Sequence, residues 1–270
     1  MTARGNPGTG RTCAALAGAV ALALALALAV TGCAGGSDPS AGGDGAHGPV
    51  TVFAAASLTE SFTRLGTEFE AAHPGTTVTF SFAGSSALAT QVNQGAPADV
   101  FAAASPATMR TVTDAGNADG SPVTFARNQL VIAVPKGNPQ SVAGLADLTR
   151  PGTKVALCAP QVPCGAAART ALDAAGVPLT PVTLEQDVKG ALSKLRLGEV
   201  DAALVYRTDA AASEVDAVEF PESAEAVNDY PIVVLRQAGN PAAAREFVAY
   251  VRSDRGRAAL TAAGFQPPQA

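Results

Sequence analysis

Five short stretches of this 270-residue chain place small, donor-bearing residues where an apolar run stops and a helical pattern or turn begins. A helix start exposes N–H groups with no partner inside the helix, and the helix dipole adds partial positive charge, so such junctions suit anions. In Phe53-Ala54-Ala55-Ala56-Ser57-Leu58-Thr59-Glu60, Ser57 and Glu60 have the spacing of a capping box. Phe82-Ala83-Gly84-Ser85-Ser86-Ala87-Leu88 repeats the theme, with Gly84 allowing a backbone to come close to a ligand. In Val162-Pro163-Cys164-Gly165 the proline suits the first helical position, and in Gln186-Asp187-Val188-Lys189-Gly190 Asp187 is a natural cap that leaves the N–H of Val188 or its neighbour pointing outward. Val205-Tyr206-Arg207 ends a strand with a phenol. Taken singly, Ser57 and Ser85 read equally as ordinary caps and Tyr206 as packing. Four helix starts and a phenol facing one crevice would instead form a cage of neutral donors.

Such a cage selects by protonation. Phosphate keeps a proton near neutral pH and rewards a carboxylate acceptor, whereas molybdate, tungstate and sulfate are fully ionised and only accept. No cationic side chain is needed when about six N–H and O–H donors replace the hydration shell.

The elements that must position these residues alternate strand and helix, which argues an α/β fold. The first half reads as strand 50–54, helix 58–72, strand 77–82, helix 87–94, strand 99–103 and helix 106–115. A very apolar strand, 129–134, opens a second series: strand 154–158, helix 165–175, strand 182–185, helix 188–197 and strand 202–206. Strand 230–235 and helix 242–251 return to the first series. Two lobes follow, 49–127 with 230–270 and 128–229, each a mainly parallel sheet flanked by helices, joined by two crossings that make a hinge over a cleft.

At the N-terminus Arg4 and Arg11 precede an uncharged apolar run from Cys13 to Val30, the order of a signal peptide. Val30-Thr31-Gly32-Cys33 resembles a bacterial lipobox, which implies removal of residues 1–32 and a lipid on Cys33, so that the protein is exported and held at the outer face of the cell membrane. Residues 33–48, rich in Gly, Ser and Asp, read as a flexible tether. Loss of Arg4 and Arg11 takes Lys plus Arg from 18 to 16 against 23 acids, a net charge of −7, which argues against nucleic acid as a partner. With Cys13 and Cys33 accounted for, Cys158 and Cys164 remain, and an even pair in an oxidising compartment suggests one disulfide. His47 and His73 are the only histidines, too few and too scattered for a metal site.

The segments Val52–Leu58, Gly95-Ala96-Pro97-Ala98-Asp99-Val100-Phe101, Val162–Gly165, Asp187-Val188-Lys189-Gly190-Ala191-Leu192 and Val205-Tyr206 resemble, in order, signature segments of the periplasmic molybdate-binding proteins of ABC transporters. The similarity runs from Val50 to Phe265. It implies the two-lobed type II periplasmic-binding-protein fold, molybdate or tungstate as ligand with no cofactor, and a permease with its ATPase as partners of a monomeric binding protein. Carried over by position, Ser57 and Ser85 would donate from side chain and backbone, Cys164 and Val188 from backbone N–H, and Tyr206 from its hydroxyl. Where many members have alanine this chain has Cys164, so a bridge to Cys158 would stiffen that loop.

Sulfate or another small anion is the alternative within the same fold, and a sensing lipoprotein is a further one. An exported enzyme would need a nucleophile with a base, a metal cluster or paired carboxylates. Neither a Gly-x-Ser-x-Gly elbow nor a phosphate-loop motif occurs.

Overall fold

Apolar side chains alternate along the first strand, and both of its faces are covered. In β1 (Gly48–Ala55), Val50, Val52 and Ala54 join Phe62, Leu65 and Phe69 in one buried cluster, while Phe53 joins Leu88, Phe101 and Met109 in another. A strand with period two between two helical layers must divide its side chains this way. The computed structural model describes residues 47–269. The expected signal segment 1–32, the lipidation residue Cys33 and the tether as far as residue 46 lie outside the described residues.

A single 3-10 turn, Ala56–Leu58, separates β1 from α1 (Thr59–Ala72). The chain continues through β2 (Thr76–Ala83), α2 (Ser85–Asn93), β3 (Val100–Ala102), α3 (Pro106–Asp114) and β4 (Ala118–Asn128). One residue later β5 (Leu130–Val134) opens a second sheet, built with β6 (Val155–Cys158), α4 (Pro163–Ala175), β7 (Thr183–Glu185), α5 (Val188–Arg196), β8 (Ala202–Tyr206), α6 (Arg207–Ala211) and β9 (Asp216–Val218). The chain then returns through β10 (Asn228–Leu235), α7 (Pro241–Arg252) and α8 (Asp254–Ala262).

The two sheets have equivalent orders, β2-β1-β3-β10-β4 and β7-β6-β8-β5-β9. Each is a mixed sheet that is mainly parallel, as the sequence leads one to expect, with one reversed strand: β10 in the first and β5 in the second. Three strands of each pair in parallel, while β10 and β4 in the first and β5 and β9 in the second join antiparallel. The reversed strands, β5 and β10, are the ones the chain enters on completing each passage between the sheets. Both passages meet at one point: Asn128 at the end of β4 pairs with Asn228 at the start of β10. The first sheet thus takes in Asn128, Asn228 and Asp229, a residue or two beyond the crossings drawn from sequence.

The strand β4 was not anticipated, because Gly120 and Pro122 interrupt its pattern. It is an edge strand, where a proline need not donate to a neighbour. Among the described residues no helix is long and apolar enough to cross a membrane.

Candidate functional site

All five residues singled out from the sequence line one cleft between the sheets. Ser57 and Ser85 come from the first lobe, and Cys164, Val188 and Tyr206 from the second. Each is buried, at most 4% exposed.

Ser57 does not cap α1. The 3-10 turn moves the helix start to Thr59, its N-cap residue is Leu58, and the capping box expected between Ser57 and Glu60 is not made. The Ser57 hydroxyl is 2.9 Å from that of Tyr230 instead. Ser85 is the first residue of α2 behind Gly84, and its Oγ accepts the Ala104 N–H at 3.0 Å, which leaves its own proton for the cleft. The space at Gly84 is filled by the other lobe's backbone: a Cβ there would lie 2.3 Å from the Gln186 carbonyl oxygen. Close approach is therefore between lobes, where the sequence suggested backbone to ligand.

The second lobe contributes mainly backbone. Cys164 and Val188 occupy the first turns of α4 and α5, whose leading N–H groups have no acceptor within their own helix. The Asp187 side chain caps α5 by accepting from Gly190 N at 2.9 Å, so its carboxylate is engaged on the helix. A disulfide joins Cys158 to Cys164 across the turn from β6 to α4. Behind it a Cβ on Gly165 would fall 1.9 Å from the Ala159 carbonyl oxygen, so only glycine lets α4 start this close to the loop.

Tyr206 ends β8 beside the crossing, opposite Leu130, and its hydroxyl oxygen accepts from Asn228 Nδ2 at 2.8 Å. Burial, with smaller contributions from Tyr230 and Asp209, pushes its ionisation well above the usual tyrosine range. Burial does the same to Tyr230. Both phenols therefore keep their protons.

Further contacts span the lobes. Ser86 Oγ donates to Gln161 O at 2.9 Å, and Asn128 Nδ2 donates to Thr208 Oγ1 at 2.8 Å. Lys189 joins Glu60 on α1, at 2.7 Å, to the fully buried Asp209, at 2.9 Å. Burial raises the Asp209 carboxyl to about 6, against the pull of Lys189. This triad and the pair Asn228 and Tyr230 escape a motif search. Their traces are slight: a tyrosine at the head of the most apolar returning strand, and a Lys directly after a cleft residue. The histidines stand apart from the cleft, His73 stacked on Phe69 with ring centroids 4.0 Å apart and His47 beside the Pro74 carbonyl. No grouping of three or more metal-ligating side chains exists among the described residues.

Two mixed sheets joined by two adjacent crossings, with a donor-lined cleft between them, define a two-lobed solute-binding protein. Residues 50–266 match the family described as bacterial extracellular solute-binding protein, and the chain belongs to that family. It is similar to the molybdate-binding protein ModA of Mycobacterium bovis, 49% identical over 234 residues that cover 86% of this chain and 89% of the relative. ModA of Escherichia coli is 33% identical over 231 residues, covering 81% and 89%. The periplasmic molybdate-binding protein of Azotobacter vinelandii superposes with a TM-score of 0.72 over 82% of this chain and 100% of its own; at 23% identity this likeness concerns the fold.

Proposed function

We propose that the protein captures molybdate, and tungstate with it, between its lobes and hands the anion to the permease and ATPase of an ABC importer. In this reading it works outside the cytoplasm as a monomer, held to the membrane by a lipid on Cys33. Ser57 and Ser85 donate hydroxyl protons and backbone N–H groups to the oxyanion, Tyr206 donates its hydroxyl proton, and Cys164 and Val188 donate backbone N–H groups. The observation that carries the reading is the convergence of these five residues, from both lobes, on one cleft. The relatives named for molybdate support the same ligand.

The chemistry follows from the donor set. A dianion that can only accept finds hydroxyls and helix-start N–H groups on both sides, and it satisfies them together only when the lobes are joined. Local dipoles supply the positive potential, so an acidic protein can hold an anion.

Calorimetric titration of the purified, lipid-free protein with molybdate, tungstate, sulfate and phosphate is the test. Strong heats with the first two and none with phosphate are expected. Tight sulfate binding with silence toward molybdate and tungstate would transfer the assignment to sulfate.

A further inference from the structure

Behind the cleft, one face of β10 carries two groups that touch its lining and have no role in the reading above. Asn228 and Tyr230 are two residues apart, so they project from the same side of the strand, and both are buried. Asn228 Nδ2 lies 2.7 Å from the Ala104 carbonyl oxygen, which only accepts, and this fixes which end of the amide is nitrogen. The second hydrogen on that nitrogen goes to the Tyr206 oxygen 2.8 Å away. Tyr206 is thereby an acceptor from behind, and the polarity it has left for the cleft is its proton.

Tyr230 stands in the same relation to Ser57, 2.9 Å away. Either oxygen can donate in that pair; with Tyr230 as the donor, Ser57 keeps its proton for the cleft. Tyr230 also neighbours the Tyr206 hydroxyl. For the Tyr206 proton a bound anion competes with that neutral oxygen alone, and charge-assisted hydrogen bonds are roughly twice as strong as neutral ones.

We propose that Asn228 and Tyr230 are positioning residues that hold Tyr206 and Ser57 as obligate donors, and so set the discrimination between oxyanions without a proton and those that carry one. The inference rests on the oxyanion reading of the cleft. A hydroxyl without such a backing donor accepts as readily as it donates, and a protonated oxyanion would then find the acceptor it needs.

The test is titration of the full chain, of Tyr230→Phe and of Asn228→Ala with molybdate and with arsenate at a pH where arsenate keeps a proton, using competition where arsenate heats are small. Each variant is expected to bind molybdate roughly 5- to 50-fold more weakly, while the molybdate-to-arsenate affinity ratio falls by at least about tenfold. Tyr230→Phe keeps the ring contacts with Phe125 and Phe265, so it decides the matter even where Asn228→Ala does not fold. Unchanged molybdate affinity, or equal weakening of both anions, would overturn the proposal, since a purely structural role leaves the ratio untouched. Failure of the unaltered protein to bind molybdate would strike the reading of the cleft itself.

Discussion

The two lobes furnish the cleft in different currencies. In the proposed reading the first offers the side-chain hydroxyls of Ser57 and Ser85 beside their backbone N–H groups, the hydroxyls held by Tyr230 and by the Ala104 N–H. The second offers helix-start N–H groups at Cys164 and Val188, held by a disulfide and by the Asp187 cap, with Tyr206 as its one hydroxyl. A side-chain donor is lost with a single oxygen. A backbone donor survives any side chain that leaves the helix start in place, so the second half of the site leans more on geometry and the first more on residue identity.

That contrast can be broken most forcefully where the lobes touch. Gly84→Ala sets a methyl group 2.3 Å from the Gln186 carbonyl oxygen and should prevent the lobes from meeting. Calorimetry is expected to show molybdate affinity reduced by about 100-fold or more, with the fold retained because Gly84 itself has ordinary backbone angles. Next, Ser57→Ala, Ser85→Ala and Tyr206→Phe should each weaken binding by about 1–3 kcal/mol, the loss of one donor to a charged group. Unchanged affinity in all three would remove side-chain donation from the account of the site.

A smaller effect comes from Asp209. Its folded-state ionisation is raised to about 6 from 3.8, so its contribution to stability is fully present below 3.8 and is lost as pH climbs through 6. Between pH 7 and pH 5.5 the protein should gain about 1 kcal/mol from this group. Asp209→Asn should flatten that part of the stability profile in thermal or denaturant unfolding, while Lys189 keeps Glu60 as a partner. The smallest effect is expected from Val188→Ala, which should change molybdate affinity by less than about 0.5 kcal/mol because its N–H is untouched. A loss as large as that of Ser57→Ala would erase the distinction between the lobes.

Much of this was written in local pattern. Apolar alternation marked most strands to within two residues, and the five cleft residues could be named because each sits at a strand end or a helix start. What stayed hidden depends on contacts remote in sequence. Ser57 and Glu60 have capping-box spacing, yet their partners are Tyr230 and Lys189, 173 and 129 residues away. The strand β4 was masked by Gly120 and Pro122, whose tolerance depends on edge position, a property of the sheet and not of the segment. The same holds for Gly84, where the decisive neighbour is a carbonyl of the other lobe.

The meeting of both crossings at the Asn128–Asn228 pair gives any relative motion of the lobes a single pivot. Displacement in such a rotation grows with distance from the axis. Tyr206, paired with Leu130 just past the pivot, and Ser57, hydrogen-bonded to Tyr230 two residues beyond Asn228, would have short lever arms in such a rotation and move least. The Ser86–Gln161 contact and the Gly84–Gln186 approach join elements beyond the pivot strands. An arriving anion would thus meet a half-built receptor whose inner wall is already in register, and capture would end with the swing of the outer rim.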